Sequence, residues 1–149
     1  MNGKLYIGFK GKNNASCVLV NAISADCYLL TNSFAGLKMD IEALSDSYDS
    51  VILFGIDKNL KDTVRIERVA EIDNKNISRL NLSDISTQLD AAGIPNCISD
   101  KPTHYLCNYA YWYLLRKFNG KVALIHIPSI KNINEHLMEG LTEVFRQNQ

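Results

Sequence analysis

The stretch Gly120-Lys121-Val122-Ala123-Leu124-Ile125-His126-Ile127-Pro128 decides the fold of this chain. Its run from Val122 to Ile125 is apolar without a break, which is typical of a strand buried on both faces. Strands of this kind occur in mainly parallel sheets that carry helices on both sides. His126 lies at the end of the run, and in open α/β sheets functional sites form beyond the carboxyl ends of strands.

Outward from this strand, the chain alternates between apolar strand patterns and helical patterns. The predicted strands are 4–9, 27–31, 51–55, 63–72 and 96–99, and the predicted helices are 15–23, 35–44, 82–92, 103–117 and 132–146. We expect Ser83 near the N-cap of the third helix and Gly93 at its end. This alternation predicts one α/β domain over residues 1–149, a three-layer αβα sandwich with a mixed, mainly parallel central sheet.

Composition excludes several classes of protein. The chain has 149 residues, enough to bury about two-thirds of its unfolded surface. Its 16 basic and 16 acidic residues give no net charge, and no apolar run reaches the length of a membrane span. The N-terminus lacks the apolar core of a signal peptide. We therefore expect a cytoplasmic protein with no nucleic-acid or membrane partner, whose four cysteines stay reduced.

Cys107 lies near the start of an aromatic, apolar predicted helix and is the candidate nucleophile. Pro102 and Thr103 mark the start of that helix, so Cys107 falls in about its first turn, where the helix dipole can stabilise a thiolate and lower the cysteine pKa. A cysteine in an apolar helix is more often a small core residue. The aromatic side chains of this helix fit a buried core or a homo-oligomer interface, and both remain open.

His126 is the candidate base, because imidazole takes and returns a proton near neutral pH. The alternative is a core histidine that bonds to a backbone carbonyl. His104 is a minor rival as the base, and His136 is expected to border solvent. Glu67 is the candidate third member, which would hold the imidazole in one tautomer. Because two arginines flank it, a solvated strand face with ion pairs is the other interpretation.

A metal site can be imagined from Cys97, His104 and Cys107. The chain has no Cys-x-x-Cys pair to support it. We expect neither a metal nor a cofactor.

Four blocks of the chain carry a resemblance to a known family. They are Ile66-Glu67-Arg68-Val69-Ala70, Gly93-Ile94-Pro95-Asn96-Cys97-Ile98-Ser99, Tyr105-Leu106-Cys107-Asn108-Tyr109 and Leu124-Ile125-His126-Ile127-Pro128. In this order they resemble the pyroglutamyl peptidase I family of cysteine peptidases, also called pyrrolidone-carboxylate peptidases. Gly8-Phe9 and Asn14-Ala15-Ser16 are similar to that family's opening. The resemblance runs from about Leu5 to Pro128 and implies a shortened, divergent member.

The resemblance also implies a function. It makes Cys107 the nucleophile, His126 the general base and acid, and Glu67 the orienting carboxylate. Phe9, Tyr105 and Leu106 would line the pocket for the pyroglutamyl ring. The implied activity is that of an omega peptidase, which removes an N-terminal pyroglutamyl (5-oxoproline) group from a small peptide through a thioester.

The chain departs from the family at positions that bear on the substrate. Where the family opens Gly-Phe-x-Pro-Phe-Gly, Phe9 is followed by Lys10-Gly11-Lys12, so half of the aromatic clamp is missing. After Gly55 the family commonly has a glutamine and a Gly-Gly-Arg run, which Ile56-Asp57-Lys58-Asn59-Leu60-Lys61 replaces. Two functions therefore stay open: a cysteine hydrolase acting on pyroglutamate or another small acyl amide, and a non-catalytic or substrate-shifted relative that acts as a binding protein.

Overall fold

A computed structural model describes residues 3–147, which form five helices and eight strands. The strands are β1 (Lys4–Phe9), β2 (Cys27–Leu30), β3 (Ser50–Ile56), β4 (Val64–Glu67), β5 (Val69–Glu71), β6 (Lys75–Ile77), β7 (Asn96–Ser99) and β8 (Val122–Ile127). The helices are α1 (Ala15–Ile23), α2 (Phe34–Ala43), α3 (Leu82–Ala91), α4 (Tyr105–Lys117) and α5 (Glu135–Gln147). The predicted bounds of β1, α1 and β7 are confirmed.

Six of the strands form one sheet in the order β2-β1-β3-β8-β4-β7. Every neighbouring pair in it is parallel except β8 and β4, which are antiparallel. β8 lies inside the sheet and is buried along its whole length, as its unbroken apolar sequence predicts. The predicted mixed, mainly parallel sheet is confirmed.

Helices cover both faces of this sheet. The buried side chains of α1, α3 and α5 form one apolar cluster with Ala123, Ile125 and Ile127 of β8. Those of α2 and α4 form a second cluster with Val122 and Leu124. Side chains alternate between faces along a strand, so His126 points to the α2/α4 side. The three-layer αβα sandwich is thus confirmed.

The predicted strand 63–72 is two strands in the structure, because the chain changes partner at Arg68. The Arg68 N–H still donates to Ser99 of β7, while its carbonyl accepts from the N–H of Ser78. Beyond it, β5 leaves the main sheet and pairs with β6 in a separate two-stranded sheet. β6 lies in a polar stretch for which no strand was predicted.

The cap of α3 and the start of α4 also differ from the prediction. Asn81, not Ser83, caps α3, because its side-chain oxygen accepts a hydrogen bond from the Asp84 N–H at 3.0 Å. α4 begins at Tyr105 rather than at residue 103, after the N-cap His104. Among residues 3–147, no helix combines the length and the apolar character that a bilayer span requires.

Candidate active site

One row of residues across the sheet places the candidate site. His126 of β8 pairs with Gly55 of β3 on one side and with Arg65 of β4 on the other. Glu67 follows Arg65 by two residues and therefore shares its face. α4 packs over this face of the sheet and brings Cys107, its third residue, above the row.

His126 and Glu67 form a buried pair. The distance from His126 Nδ1 to Glu67 Oε2 is 2.8 Å, and the two residues are 3% and 0% exposed. An ionised carboxylate only accepts hydrogen bonds, so Nδ1 carries the proton and Nε2 presents its lone pair. Glu67 is therefore not on a solvated strand face, and the partner of His126 is a carboxylate rather than a backbone carbonyl.

Glu67 is held at two further points. Arg65 donates from Nε to Oε2 at 2.6 Å, so this oxygen accepts from both Arg65 and His126. The hydroxyl of Tyr111 on α4 donates to the backbone carbonyl of Glu67 at 2.8 Å. The other carboxylate oxygen, Oε1, is buried and has no hydrogen-bond partner within residues 3–147.

Gly55 lets the sulfur of Cys107 reach the sheet. A Cβ added at Gly55 would lie 2.5 Å from Cys107 Sγ and 3.4 Å from His126 Cδ2, the ring carbon bonded to Nε2. Real Cβ atoms essentially never come within 3.0 Å of a non-bonded heavy atom, so any larger residue at position 55 would displace the sulfur. Cys107 and the Nε2 edge of His126 therefore border the same space above Gly55.

The Cys107 thiol is protonated at neutral pH. Burial raises the pKa of Cys107 to about 11, the negative charges of Asp57 and Glu67 add to this rise, and a backbone hydrogen bond from Ile56 opposes it. The net shift has the opposite sign to that expected from the start of a helix. A base is therefore needed to form the thiolate.

A cleft of about 820 Å³ opens beside His126. Its wall includes Asp57, Arg65, Lys101, His104 and Tyr105. A shallower cleft of about 590 Å³ continues past His104 and Tyr105, which line both, to Phe34 and Tyr109. Both clefts therefore border the first turn of α4.

The predicted pocket residues lie in different environments. Tyr105 is 85% exposed and has a φ of 69°, a left-handed conformation that is rare for a residue with a side chain. Phe9 is 3% exposed in the core, and Leu106 is half-buried against the same core cluster. Within the described chain, neither Phe9 nor Leu106 lines these two clefts.

The remaining candidates lie apart from the buried pair. His104 is exposed at the rim shared by the two clefts, and His136 is exposed on α5, which packs on the opposite face of the sheet. Cys97 is exposed on the edge strand β7. Within residues 3–147, no three His, Cys, Asp or Glu side chains are placed to hold a metal ion.

Sequence reasoning missed the role of Arg65 and Asp57. Arg65 donates from Nη2 to Asp57 Oδ2 at 2.8 Å as well as to Glu67. The spacing of two between Arg65 and Glu67 on a strand already places them on one face, and this signal could have indicated the contact. Nothing in the sequence indicates that Asp57, which follows β3, reaches the same guanidinium.

Comparison with solved structures identifies the fold, while no protein-family model and no curated protein matches the chain. The pyrrolidone carboxyl peptidase from Thermococcus litoralis is 19% identical, with a TM-score of 0.77 over 99% of this chain and 94% of that one. The enzyme of that name from Thermus thermophilus is 16% identical, with a TM-score of 0.79 over 97% and 98%. The one from Pyrococcus furiosus is 19% identical, with a TM-score of 0.79 over 97% and 96%. The chain has the fold of these peptidases.

Proposed function

We propose that this chain is a cysteine-type hydrolase that removes an N-terminal pyroglutamyl group from small peptides, with Cys107, His126 and Glu67 as its catalytic residues. The observation that carries the proposal is the buried 2.8 Å contact between His126 Nδ1 and Glu67 Oε2, beside a cysteine seated over Gly55. The likeness in fold to pyrrolidone carboxyl peptidases supports the class of reaction.

The proposed reaction proceeds through a thioester. His126 Nε2 takes the proton of Cys107 as the sulfur attacks the amide carbonyl, and the imidazolium is stabilised by Glu67. The carbon–nitrogen bond then breaks, and His126 returns the proton to the leaving amine. Water, deprotonated by the same Nε2, attacks the thioester and releases the acid and the Cys107 thiol. Because burial raises the pKa of Cys107 to about 11, proton transfer has to accompany the attack.

The start of α4 offers donors for the negative oxygen of the tetrahedral intermediate. The first backbone N–H groups of a helix have no partner inside the helix. His104, the N-cap, supplies no side-chain cap bond to the described residues of α4. Removing one such donor from an oxyanion hole costs about 3 kcal/mol of transition-state stabilisation.

The pocket for the acyl group departs from the aromatic clamp that the resemblance implies. Phe9 is buried, and the second aromatic residue of the family's clamp is replaced within Lys10-Gly11-Lys12. These observations favour the second candidate, a substrate-shifted or non-catalytic relative that binds a peptide or acyl amide.

The four cysteines are free thiols, which supports the reducing cytoplasm as the proposed location.

The test is hydrolysis of a pyroglutamyl-aminocoumarin under reducing conditions. We expect turnover by the unmodified protein and by Cys97→Ser, a control that removes an exposed thiol, and none by Cys107→Ser. No turnover together with fast alkylation of Cys107 by iodoacetamide would contradict pyroglutamate as the substrate but leave an active nucleophile. Failure of both reactions would identify the binding protein instead.

A further inference from the structure

Arg65 joins the two carboxylates beside His126, and the proposed reaction gives it no role. Its Nε donates to Glu67 Oε2 at 2.6 Å, and its Nη2 donates to Asp57 Oδ2 at 2.8 Å. The backbone N–H of Asn59 holds Asp57 in turn, donating to Oδ1 at 2.9 Å. A continuous series of hydrogen bonds therefore runs from the loop after β3 to the imidazole of His126.

The charge on Arg65 supports an ionised Glu67. A fully buried carboxylate with one unpartnered oxygen is strongly unfavourable unless a cation compensates it. Arg65 is such a cation at every accessible pH, since an arginine in a protein does not lose its proton. Burial acts to lower the pKa of Arg65, but hydrogen bonds and charges of Asp57 and Glu67 outweigh it and raise that pKa.

Arg65 and His126 share one oxygen, and this arrangement has two consequences. The guanidinium fixes the position of Oε2, which in turn orients the imidazole through Nδ1. It also places a permanent positive charge next to the ring, because Arg65 and His126 are direct partners across β4 and β8. Like charges disfavour each other, so Arg65 opposes the uptake of a proton by the His126–Glu67 pair.

We propose that Arg65 is a positioning residue that sets the lower limit of the pH range in which His126 serves as the base for Cys107. This inference rests on the proposed function for the roles of His126 and Cys107, whereas its two readouts need no substrate. The charged and titratable groups around His126 are Glu67 and Arg65 of β4, Asp57 and Lys58 after β3, Lys101 after β7, and His104, Tyr105, Cys107 and Tyr111 of α4 and its N-cap. Among them, Arg65 is the cation bonded to the same carboxylate oxygen as His126.

The test compares Arg65→Gln with Arg68→Gln. Arg68 is a matched control, since it directly follows β4 but pairs with the exposed Asp100 at 2.7 Å. We would titrate the ¹⁵N resonances of His126 by NMR and measure the alkylation of Cys107 against pH by peptide mass spectrometry. In Arg65→Gln the His126 midpoint and the acid limb of alkylation should both move up by about one to two pH units. In Arg68→Gln neither should move.

The proposal is overturned if His126 in Arg65→Gln titrates with the same midpoint as in the unmodified protein. If Arg65→Gln does not fold, Arg65→Met decides, because it keeps the unbranched apolar stem of the side chain and removes the cation. An upward shift relative to Arg68→Met then supports the proposal, and an equal midpoint overturns it. Absence of turnover in the unmodified protein would contradict the proposed function but not this inference, since the NMR titration needs no substrate.

Discussion

Replacing Gly55 with alanine should impair the site while leaving the protein folded. The new Cβ would lie 2.5 Å from Cys107 Sγ and 3.3 Å from Cys107 Cβ. Ordinary van der Waals contact begins at 3.4 Å. The sulfur would therefore have to retreat by about 1 Å to reach a normal contact distance.

The size of the effect follows from that displacement. Inserting a methyl group into a packed site costs about 1–3 kcal/mol of stability. In a protein of this size each kcal/mol lowers Tm by about 2–4 °C. A shift of about 1 Å in a reacting group can reduce a rate by about 100-fold. Gly55 is not among the residues with positive φ, so the effect comes from the steric clash rather than from backbone strain.

The assay measures urea unfolding, alkylation of Cys107 and hydrolysis of the aminocoumarin substrate. Gly140→Ala is the matched control, because its added Cβ meets only the flexible side chain of Ile94, at 3.3 Å. We expect both rates to fall in Gly55→Ala and to be unchanged in Gly140→Ala. If Gly55→Ala alkylates and turns over at the unmodified rates, Cys107 is not seated over Gly55 and the site described above is wrong.

Three further changes have defined outcomes. Tyr105→Gly should stabilise the protein by about 1 kcal/mol in urea unfolding, since it removes a non-glycine residue from a left-handed conformation. If Tyr105 contacts the substrate, the same change should also raise KM. Asn108→Ala should destabilise it by about 1–3 kcal/mol, because the Asn108 amide makes two hydrogen bonds to the backbone of Glu71; equal stability would contradict their importance. Burial acts to raise the pKa of Asp57, but the Asn59 N–H and Arg65 outweigh it and lower that pKa. The stabilisation by Asp57 is thus complete above the unfolded pKa of about 3.9 and disappears as the pH falls through the lower folded value. Between about pH 5 and pH 2, the free energy of unfolding should therefore fall less in Asp57→Asn than in the unmodified protein. An unchanged pH dependence would exclude this contribution.

The buried strands were predictable because the pattern of a few consecutive residues is enough to indicate each of them. An apolar run such as Val122 to Ile125 can bury the side chains of both its faces only inside a covered sheet, so its sequence alone indicates where it lies. The bounds of β1 and α1 follow for the same reason, since their apolar spacing changes sharply at Phe9 and Ala15.

The break at Arg68 and the strand β6 were not predictable from local patterns. Apolar and polar residues alternate from Val64 to Glu67 and no longer alternate after Arg68, but only the change of hydrogen-bond partner from β7 to Ser78 shows that a new strand begins in another sheet. β6 is polar and largely exposed, so no apolar periodicity indicates it. Both features depend on contacts between segments that are distant in the chain.

Residue types indicated the candidate site, but burial determined its chemistry. Cys107, His126 and Glu67 could be selected as a nucleophile, a base and a carboxylate. Two flanking arginines made Glu67 look solvated, whereas α4 covers it completely in the fold. The same burial reverses the expected direction of the Cys107 pKa, and no sequence pattern reports how deeply a thiol lies.

The central place of β8 affects how the chain can fold during synthesis. Although β8 follows the other seven strands of residues 3–147 in the sequence, it lies between β3 and β4. Until residues 122–127 emerge from the ribosome, β2-β1-β3 and β4-β7 cannot be joined into one sheet. Translation proceeds at about 5–20 residues per second, so the unpaired, apolar edge of β3 remains open for seconds. The nascent chain is therefore expected to be prone to aggregation over this interval and to become resistant to protease only when β8 closes the gap.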